Sequence, residues 1–147
     1  MLLAIEQAKK AALIGEIPVG AVIVKNKEVI ALAHNLKETN NDSTAHAEII
    51  AIREAGKKIK SWHLEDCTIY VTLEPCHMCL AAIIEARISR VVYGAYDIKM
   101  GAHASNKNRL QDSVTNRLDI VGGVMEKQSE NLLKEFFETL RKDKHSV

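Results

Sequence analysis

The alternation of apolar and polar positions divides the first part of the chain into one helix and two strands. Residues 2–14 consist of strong helix formers with an apolar stripe, and Gly15 is a suitable helix end. Two short β-rich runs follow at 19–24 and 29–33, and the polar residues 25–28 between them predict a hairpin. The predicted stripe of the first helix comprises Leu2, Ile5, Ala8, Ala12 and Leu13.

A second helix is predicted after a polar stretch. Residues 34–44 are polar, and helical sequence follows at 45–57. Short polar side chains in front of a helix satisfy its first backbone N–H groups. The candidates for this N-cap are Asp42, Ser43 and Thr44.

The middle of the chain predicts a βαβ unit. Residues 67–73 have the composition of a buried strand, and Pro75 stands where a first helical residue is favoured. The helix is expected to run to about Arg87, and 90–94 is again strand-like. A strand, a helix and a further strand in this order imply parallel pairing within an α/β domain.

The last third of the chain adds a strand and a helix. Residues 97–117 are polar and loop-like, with room for a short helix, and 118–124 predict a fifth strand ended by Gly122 and Gly123. A final helix at 127–142 is expected to pack onto the sheet through apolar residues at helical spacing. These residues are Leu132, Leu133, Phe136, Phe137 and Leu140.

Length, composition and charge exclude only a few classes of protein. The length of 147 residues favours a single domain over 1–147, and 47% hydrophobic with 27% charged residues is typical of a globular domain. Twenty Lys and Arg against nineteen Asp and Glu leave a net charge of +1, which neither requires nor excludes a nucleic-acid partner. No window resembles a signal peptide or a membrane span. Three cysteines are too few for a disulfide framework and suit the reducing cytoplasm.

Candidate chemistry lies in two short motifs about thirty residues apart. The first is His46-Ala47-Glu48, and the second is Pro75-Cys76-x-x-Cys79. One imidazole and two thiolates leave the fourth position of a tetrahedral zinc ion open, which is the arrangement of a catalytic zinc site. The carboxylate two residues after the histidine provides a proton carrier for a zinc-bound water.

The predicted elements bring both motifs to one place. Cys76 and Cys79 are three residues apart in the first turn of a predicted helix, where the helix dipole favours thiolates. His46 and Glu48 would lie at the start of the preceding helix. In a βαβ arrangement the two helix starts can meet at one edge of the sheet, so we expect a single pocket.

The expected chemistry is hydrolysis at a carbon that carries an amino group. Zinc lowers the pKa of a bound water from about 15.7 to about 7 in favourable sites, although thiolate ligands weaken the effect. The resulting hydroxide would attack an sp² carbon. Glu48 would take the proton of the water, pass it to a ring nitrogen and later protonate the departing ammonia.

The alternative is a structural zinc site, which needs a fourth protein ligand. Cys67 is the remaining cysteine and is expected to be a buried thiol at the start of a strand. His77 lies between the two cysteine ligands but about 100° away from their helix face, so it is expected to be exposed at the pocket rim. Neither residue is a good fourth ligand.

These motifs resemble those of the cytidine and deoxycytidylate deaminase superfamily. Within it the chain resembles the bacterial tRNA-specific adenosine deaminases, which convert the wobble adenosine of an arginine tRNA to inosine. The stretch Thr-Leu-Glu-Pro-Cys at 72–76 and the run Gly-Ala-x-Asp-x-Lys-x-Gly at 94–101 point to that group. The resemblance also covers 16–22, 33–35, 44–48 and 90–95.

The resemblance implies a three-layer α/β/α fold of the cytidine-deaminase type with a mixed central sheet of about five strands. It implies one Zn²⁺ per subunit, held by His46, Cys76 and Cys79, with Glu48 as the catalytic proton carrier. It also implies a cytoplasmic homodimer without a membrane segment, whose substrate cleft uses both subunits. The partner would be a tRNA anticodon stem-loop.

Four further residues are substrate contacts by resemblance. Asn35 would hydrogen-bond a flipped purine, Val19 would lie against the base, and the Ala47 backbone would lie near the reacting edge. Asp97 would contact nucleotides that flank the target. From the residues alone, Asn35 could instead form a turn after a strand, and Asp97 could cap a loop.

Basic residues near the pocket could bind RNA, or they could simply be a solvated face. The chain departs from the family pattern after Gly101, and Asn116 stands where the family has a histidine. These departures concern tRNA docking and leave the zinc chemistry untouched. The basic candidates are Lys99, Lys107, Arg109, Arg117, Arg141, Lys142 and Lys144.

Two other functions remain open from sequence. A free nucleobase or nucleotide deaminase, acting on guanine or cytosine, would share the metal site and Glu48 but would need no RNA surface. A non-catalytic RNA-binding partner is the alternative from another class. The intact His-x-Glu motif argues against it, because a silent relative could lose Glu48 without losing zinc.

Overall fold

A computed structural model describes residues 1–105 and 118–146 of the protein. Four helices and five strands lie within these residues. In chain order they are α1 (Leu2–Leu13), β1 (Gly20–Lys25), β2 (Glu28–His34), α2 (Ala47–Ile59), β3 (Cys67–Leu73), α3 (His77–Glu85), β4 (Arg90–Ala95), β5 (Asp119–Val121) and α4 (Glu126–His145). Part of the loop with a short helix that was predicted at 97–117 lies outside the described residues.

The five strands form one mixed sheet in the order β2-β1-β3-β4-β5. Strand β1 is antiparallel to both β2 and β3, whereas β3, β4 and β5 run parallel. Helices α1 and α4 cover one face, and α2 and α3 lie on the other. The predicted three-layer α/β/α architecture and the βαβ unit are therefore confirmed.

The first hairpin has a two-residue turn. Asn26 and Lys27 have positive φ values of 49° and 62°, which are typical of the type I′ turn that suits the twist of paired strands. The predicted hairpin is confirmed, and the strand bounds differ from the prediction by one residue. The turn thus fixes the register that places the end of β2 beside the start of β1.

Helix α1 packs through small residues and not through its leucines. Leu2 and Leu13 are 67% and 85% exposed, so the predicted stripe is wrong at both ends. The reason is Gly20 in β1: a Cβ atom there would overlap the backbone of Ala4 and Ala8, so the helix lies close against the strand. Small residues allow this close approach. The buried residues of α1 are Ala4, Ile5, Gln7, Ala8 and Ala11.

Helix α2 begins two residues later than predicted. Its N-cap residue is His46, which has extended backbone (φ −73°, ψ 151°) and makes no side-chain cap hydrogen bond. The predicted caps are therefore wrong. The Asp42 carboxylate instead accepts hydrogen bonds from the Thr44 amide (2.8 Å) and hydroxyl (2.7 Å) and closes a local turn. The His46 side chain contacts Cys79 of α3.

Helix α3 also begins later than expected. Cys76 is its N-cap residue, with φ −72° and ψ 173°, and Pro75 precedes the helix rather than opening it. The Pro75 carbonyl accepts a hydrogen bond from the Ala102 amide, and Cys76 forms an isolated antiparallel bridge with Gly101. These pairings hold the residues before the helix in extended conformation.

The core lies mainly between the sheet and α2. Alternate residues of β1 and β3 are fully buried and pack against the alanines of α2. Cys67 belongs to this core, and burial raises the pKa of its thiol, so the prediction of a core cysteine is confirmed. The strand residues concerned are Ala21, Ile23, Ile69 and Val71.

Helix α4 is most deeply buried near its beginning. Ser129 is buried against Gly94 of β4, and a Cβ atom at Gly94 would overlap the Ser129 hydroxyl. Further along, Phe137 and Leu140 are exposed, so the expected packing of the apolar stripe is wrong at these two positions, whereas Phe136 is half-buried. A 20-residue helix is about 30 Å long, whereas strands of six or seven residues span only about 20 Å.

Within residues 1–105 and 118–146, no helix combines the length and apolar content that crossing a membrane requires.

Candidate active site

Three predicted metal ligands converge at one edge of the sheet. His46 lies immediately before α2, Cys76 immediately before α3, and Cys79 in the first turn of α3. The His46 Nδ1 atom is 3.4 Å from the Cys79 Sγ atom and 3.8 Å from the Cys76 Sγ atom. All three candidate ligand atoms lie within 4.8 Å of one another.

These distances fit a tetrahedral metal ion. Zn–S and Zn–N bonds of about 2.3 and 2.05 Å at tetrahedral angles place nitrogen and sulfur about 3.6 Å apart. Among the described residues, no fourth His, Cys, Asp or Glu joins the group. An ion held by these three side chains would keep one position for another ligand, which disfavours a purely structural site.

The three candidate ligands shift one another's pKa values. The hydrogen bond with the Cys79 thiol, together with His46, lowers the pKa of Cys76 to about 4. The same hydrogen bond and burial raise the pKa of Cys79. The hydrogen bond to Cys76 raises the pKa of His46. A divalent cation binds deprotonated thiolates and a neutral imidazole, so it would displace the remaining protons of these groups on binding.

Glu48 lies two residues after His46, on the second residue of α2. It is 4% exposed, and burial raises the pKa of its carboxyl group. A carboxyl with a raised pKa exchanges protons more readily near neutral pH than an ordinary glutamate does. Its position suits the predicted role of proton carrier.

A cavity of about 300 Å³ lies above these residues. This volume is at the lower end of the range for small-molecule sites. Of the predicted site residues, all except the fully buried Cys79 line it. Sequence analysis missed the other lining residues, which are Ile17, Lys37, Leu73, Glu74 and Met100.

Asn35 is the strongest candidate for a polar substrate contact. It follows β2, is 7% exposed and lines the cavity. Its backbone amide donates to the Val19 carbonyl at 3.0 Å, but its side-chain Oδ1 atom has no hydrogen-bond partner among the described residues. Buried polar atoms are nearly always paired, so a donor on a bound molecule would complete this site. The Oδ1 atom therefore makes no turn-closing hydrogen bond among the described residues.

Val19 and Ala47 form an apolar part of the cavity wall. Ala47 is fully buried, and Val19 is half-buried and packs against the core. A flat ring could lie against two such small side chains without meeting polar atoms. Both positions agree with the predicted contacts, which remain predictions.

Asp97 has the capping role that was left open from sequence. Its Oδ1 atom accepts hydrogen bonds from the amides of Lys99 (3.2 Å) and Met100 (3.1 Å). It also lines the cavity. The two roles are compatible, because the cap fixes the side chain at the rim where a substrate would pass.

Two other residues differ from expectation or were overlooked. His77 is half-buried, and its Nε2 atom has no partner among the described residues, so it is less exposed than predicted. Glu74 was considered only as part of a motif, yet it is 2% exposed and accepts hydrogen bonds from the segment 97–105. A carboxylate at the end of a buried strand was the available sequence signal.

The predicted basic residues are only partly described. Lys99 lies in the turn after β4 near the cavity rim, and three residues at the end of α4 are exposed. Those three are Arg141, Lys142 and Lys144. Lys107, Arg109 and Arg117, like Asn116, lie outside the described residues.

The chain is similar to known deaminases. The model of the MafB19-like deaminase family matches residues 1–141. A tRNA-specific adenosine deaminase of Bacillus subtilis (strain 168) is 49% identical over 145 residues, which are 98% of this chain and 90% of the relative. A solved structure from work on A-to-I editing by tRNA:A34 deaminases at the wobble position of transfer RNA is 42% identical, with a TM-score of 0.85 over 90% of this chain and 97% of that chain. A guanine deaminase from Bacillus subtilis is 37% identical, with a TM-score of 0.62 over 74% of this chain and 80% of that chain.

Proposed function

The chain belongs to the MafB19-like deaminase family and to the tRNA-specific adenosine deaminases, and we propose that it hydrolyses the wobble adenosine of an arginine tRNA to inosine. The observation that carries the proposal is the meeting of His46, Cys76 and Cys79 with a buried Glu48 at a cavity of about 300 Å³. The substrate follows from the relatives, since adenosine in tRNA is what their names specify.

The metal is zinc in this proposal, one ion per chain. One imidazole and two thiolates are a donor set that suits Zn²⁺. When bound by His46, Cys76 and Cys79, zinc would supply a Lewis acid that makes water a nucleophile at neutral pH.

Glu48 moves the protons of the reaction. It takes one proton from the attacking water and delivers it to N1 of the adenine ring. It then passes the second proton of the water to the exocyclic nitrogen, which leaves as ammonia while the ring carbon keeps the oxygen. Water and adenosine thereby give inosine and ammonia, with no other reactant. Burial of Glu48 favours the protonated form that the last step needs.

Three residues would orient the base. The amide of Asn35 offers an unpartnered oxygen inside the cavity. Val19 and the Ala47 backbone would hold the ring between them, with its amino-bearing carbon towards Glu48. A base reaches such a pocket only when it is turned out of its stack, which an anticodon loop allows at low cost.

The RNA-binding rim would include Asp97 and cations around the cavity. Asp97 would contact nucleotides that flank the target. Lys37 lines the cavity and, with Lys99, could bind phosphates of a splayed loop.

We further propose a cytoplasmic homodimer of single-domain chains. Helices α2 and α3, which carry the metal ligands at their starts, line a groove on their outer side. Trp62 borders this groove and is 62% exposed, with Arg87 5.3 Å from its ring centre. Light scattering would report a mass of about two chains, and Trp62→Lys should lower it towards one.

A guanine deaminase is the competing function, since such a relative shares 37% identity. The two functions share the metal site and Glu48, so only the substrate separates them. Activity on a free base would need no RNA rim.

The decisive experiment uses the zinc-loaded protein and an arginine-tRNA anticodon stem-loop with adenosine at the wobble position. Free adenosine, guanine and cytosine are incubated in parallel, and inosine and ammonia are measured. We expect inosine from the stem-loop alone. Ammonia from a free base with the stem-loop intact would overturn the tRNA assignment. Binding of the stem-loop without turnover would favour a non-catalytic RNA-binding protein.

A further inference from the structure

Glu74 is a buried carboxylate that binds one segment of the cavity rim from below. It follows β3 directly, and both of its oxygens accept hydrogen bonds from residues 97–105. Oε2 accepts from the backbone amides of His103 (3.0 Å), Ala104 (3.1 Å) and Ser105 (3.2 Å). Oε1 accepts from the Ser105 hydroxyl (2.6 Å) and the Asp97 amide (3.2 Å).

Three successive amides that converge on one oxygen form a concave anion site made by the backbone. A carboxylate matches this site because it is only an acceptor, with several lone pairs. A glutamine of the same shape would replace one oxygen by an NH₂ group. That group would face either these three amides or the Ser105 and Asp97 donors, so at least one set would lose its acceptor.

Gly101 shows that the fit is close. A Cβ atom at this position would overlap the Glu74 carboxylate, so the segment passes directly over it. The same segment is joined to the start of α3 by the bond from the Ala102 amide to the Pro75 carbonyl. On its other side, the His103 ring and the Tyr93 hydroxyl share a hydrogen bond of 2.7 Å.

The segment carries two residues that line the cavity, Asp97 and Met100. Asp97 is half-buried and Met100 is 60% exposed. Because Glu74 holds the Asp97 amide at one end of the segment and Ser105 at the other, it fixes where this part of the rim stands. Glu74 also lines the cavity, but both oxygens of its carboxylate are engaged by the segment 97–105.

We propose that Glu74 is a positioning residue that holds the rim segment 97–105 in the conformation that binds the substrate. The inference rests on the proposed function and assigns Glu74 to substrate binding, separate from the chemistry at His46, Cys76, Cys79 and Glu48. Loss of its charge therefore weakens substrate binding and leaves the metal centre and the proton transfer in place.

The test compares zinc-loaded wild type with Glu74→Gln. We expect unchanged zinc content, a KM for the stem-loop raised about tenfold, and a kcat within about threefold of wild type. Hydrogen exchange should accelerate at the amides of 103–105. The matched control is Glu16→Gln, the same change at a buried carboxylate that binds Thr39, which should accelerate exchange near Thr39 and not at 103–105.

Ser105→Ala provides a milder variant if Glu74→Gln does not fold. It removes only the hydroxyl donor, so a KM increase of about twofold to threefold is expected. Unchanged KM and exchange in these variants would overturn the inference, as would a loss of zinc and kcat at constant KM. If wild type fails to produce inosine from the stem-loop, the proposed function is wrong. Hydrogen exchange in wild type and Glu74→Gln still tests whether Glu74 holds the segment 97–105.

Discussion

The Nδ1 atom of His46 lies 3.4 Å from the sulfur of Cys79, although 33 positions separate them in the chain. Strand β3 accounts for this proximity, because it lies between α2 and α3 in sequence and returns the chain to the same sheet edge. Both helices begin there, so their first residues face one another. The proximity of the candidate metal ligands is thus a consequence of the topology, and these residues come from two rigid helix starts.

Replacement of His46 by Ala should abolish metal binding. Only two sulfur ligands would remain, and the described residues offer no substitute in the group. Zinc content, measured on purified protein, should fall from about one ion per chain to near zero. Cys67→Ala is the matched control for a cysteine outside the site. It should keep the metal and lose about 1–2 kcal/mol of unfolding free energy through the small cavity in the core. Metal content at the wild-type level in His46→Ala would refute the ligand assignment.

Glu48→Gln should separate binding from chemistry. The amide keeps the volume of the buried side chain but cannot accept and return a proton, so kcat should drop by about 10²- to 10⁴-fold. Zinc content and affinity for the stem-loop should stay near wild type. Glu54→Gln, on the exposed side of the same helix, is the control and should retain full activity. Loss of zinc in Glu48→Gln would show that this carboxylate supports the metal instead.

Asn35→Ala should weaken substrate use with zinc intact. The variant removes the Oδ1 atom that has no partner among the described residues, and with it a hydrogen bond to the base. A hydrogen bond of about 1–2 kcal/mol corresponds to a decrease of about 5- to 30-fold in kcat/KM. Asn40→Ala, in the exposed loop that follows, serves as the control. Normal kcat/KM in Asn35→Ala would contradict the assigned contact.

The sequence was sufficient to predict the sheet, the helices and the convergence of His46, Cys76 and Cys79, because these depend on local pattern and on the order of the elements. It was insufficient where contacts between distant backbones decide the outcome. The apolar stripe predicted for α1 was wrong at Leu2, because Gly20 allows the helix to lie close to β1. Helical spacing alone does not reveal such a close approach. The predicted N-cap residues of α2 were wrong for a related reason: the backbone of His46 is extended, and His46 itself is the N-cap residue.

Glu74 illustrates the same limit at the site. Its partners between Asp97 and Ser105 lie 23 to 31 positions away, and most of them are backbone amides that no residue type identifies. Asn35, in contrast, is a predicted substrate contact by resemblance, and its Oδ1 atom has no partner among the described residues, which agrees with that prediction. Side chains that suit a given chemistry can be identified in the sequence, whereas the backbone groups that position them are identified only in the folded structure.

Glu16 is a second buried carboxylate that anchors a loop beside the cavity. It is 1% exposed and accepts hydrogen bonds from the Thr39 amide (2.6 Å) and hydroxyl (2.8 Å). Burial alone would raise the pKa of Glu16, but the hydrogen bonds from Thr39 outweigh it, and the pKa lies below its ordinary value of 4.5. The ionised form is therefore favoured by folding.

The stability contribution of Glu16 should depend on pH with a definite sign. Because its pKa is lower in the folded than in the unfolded protein, the contribution is complete above 4.5 and is lost as the pH falls through the folded-state pKa. Glu16→Gln should cost about 1–2 kcal/mol of unfolding free energy at neutral pH and less in acid. Urea unfolding of both proteins from neutral pH to about pH 3 measures this difference. Thr39→Ala should reproduce part of it, because it removes only the hydroxyl donor. Parallel pH profiles for wild type and Glu16→Gln would show that Glu16 is not bound more tightly as the anion.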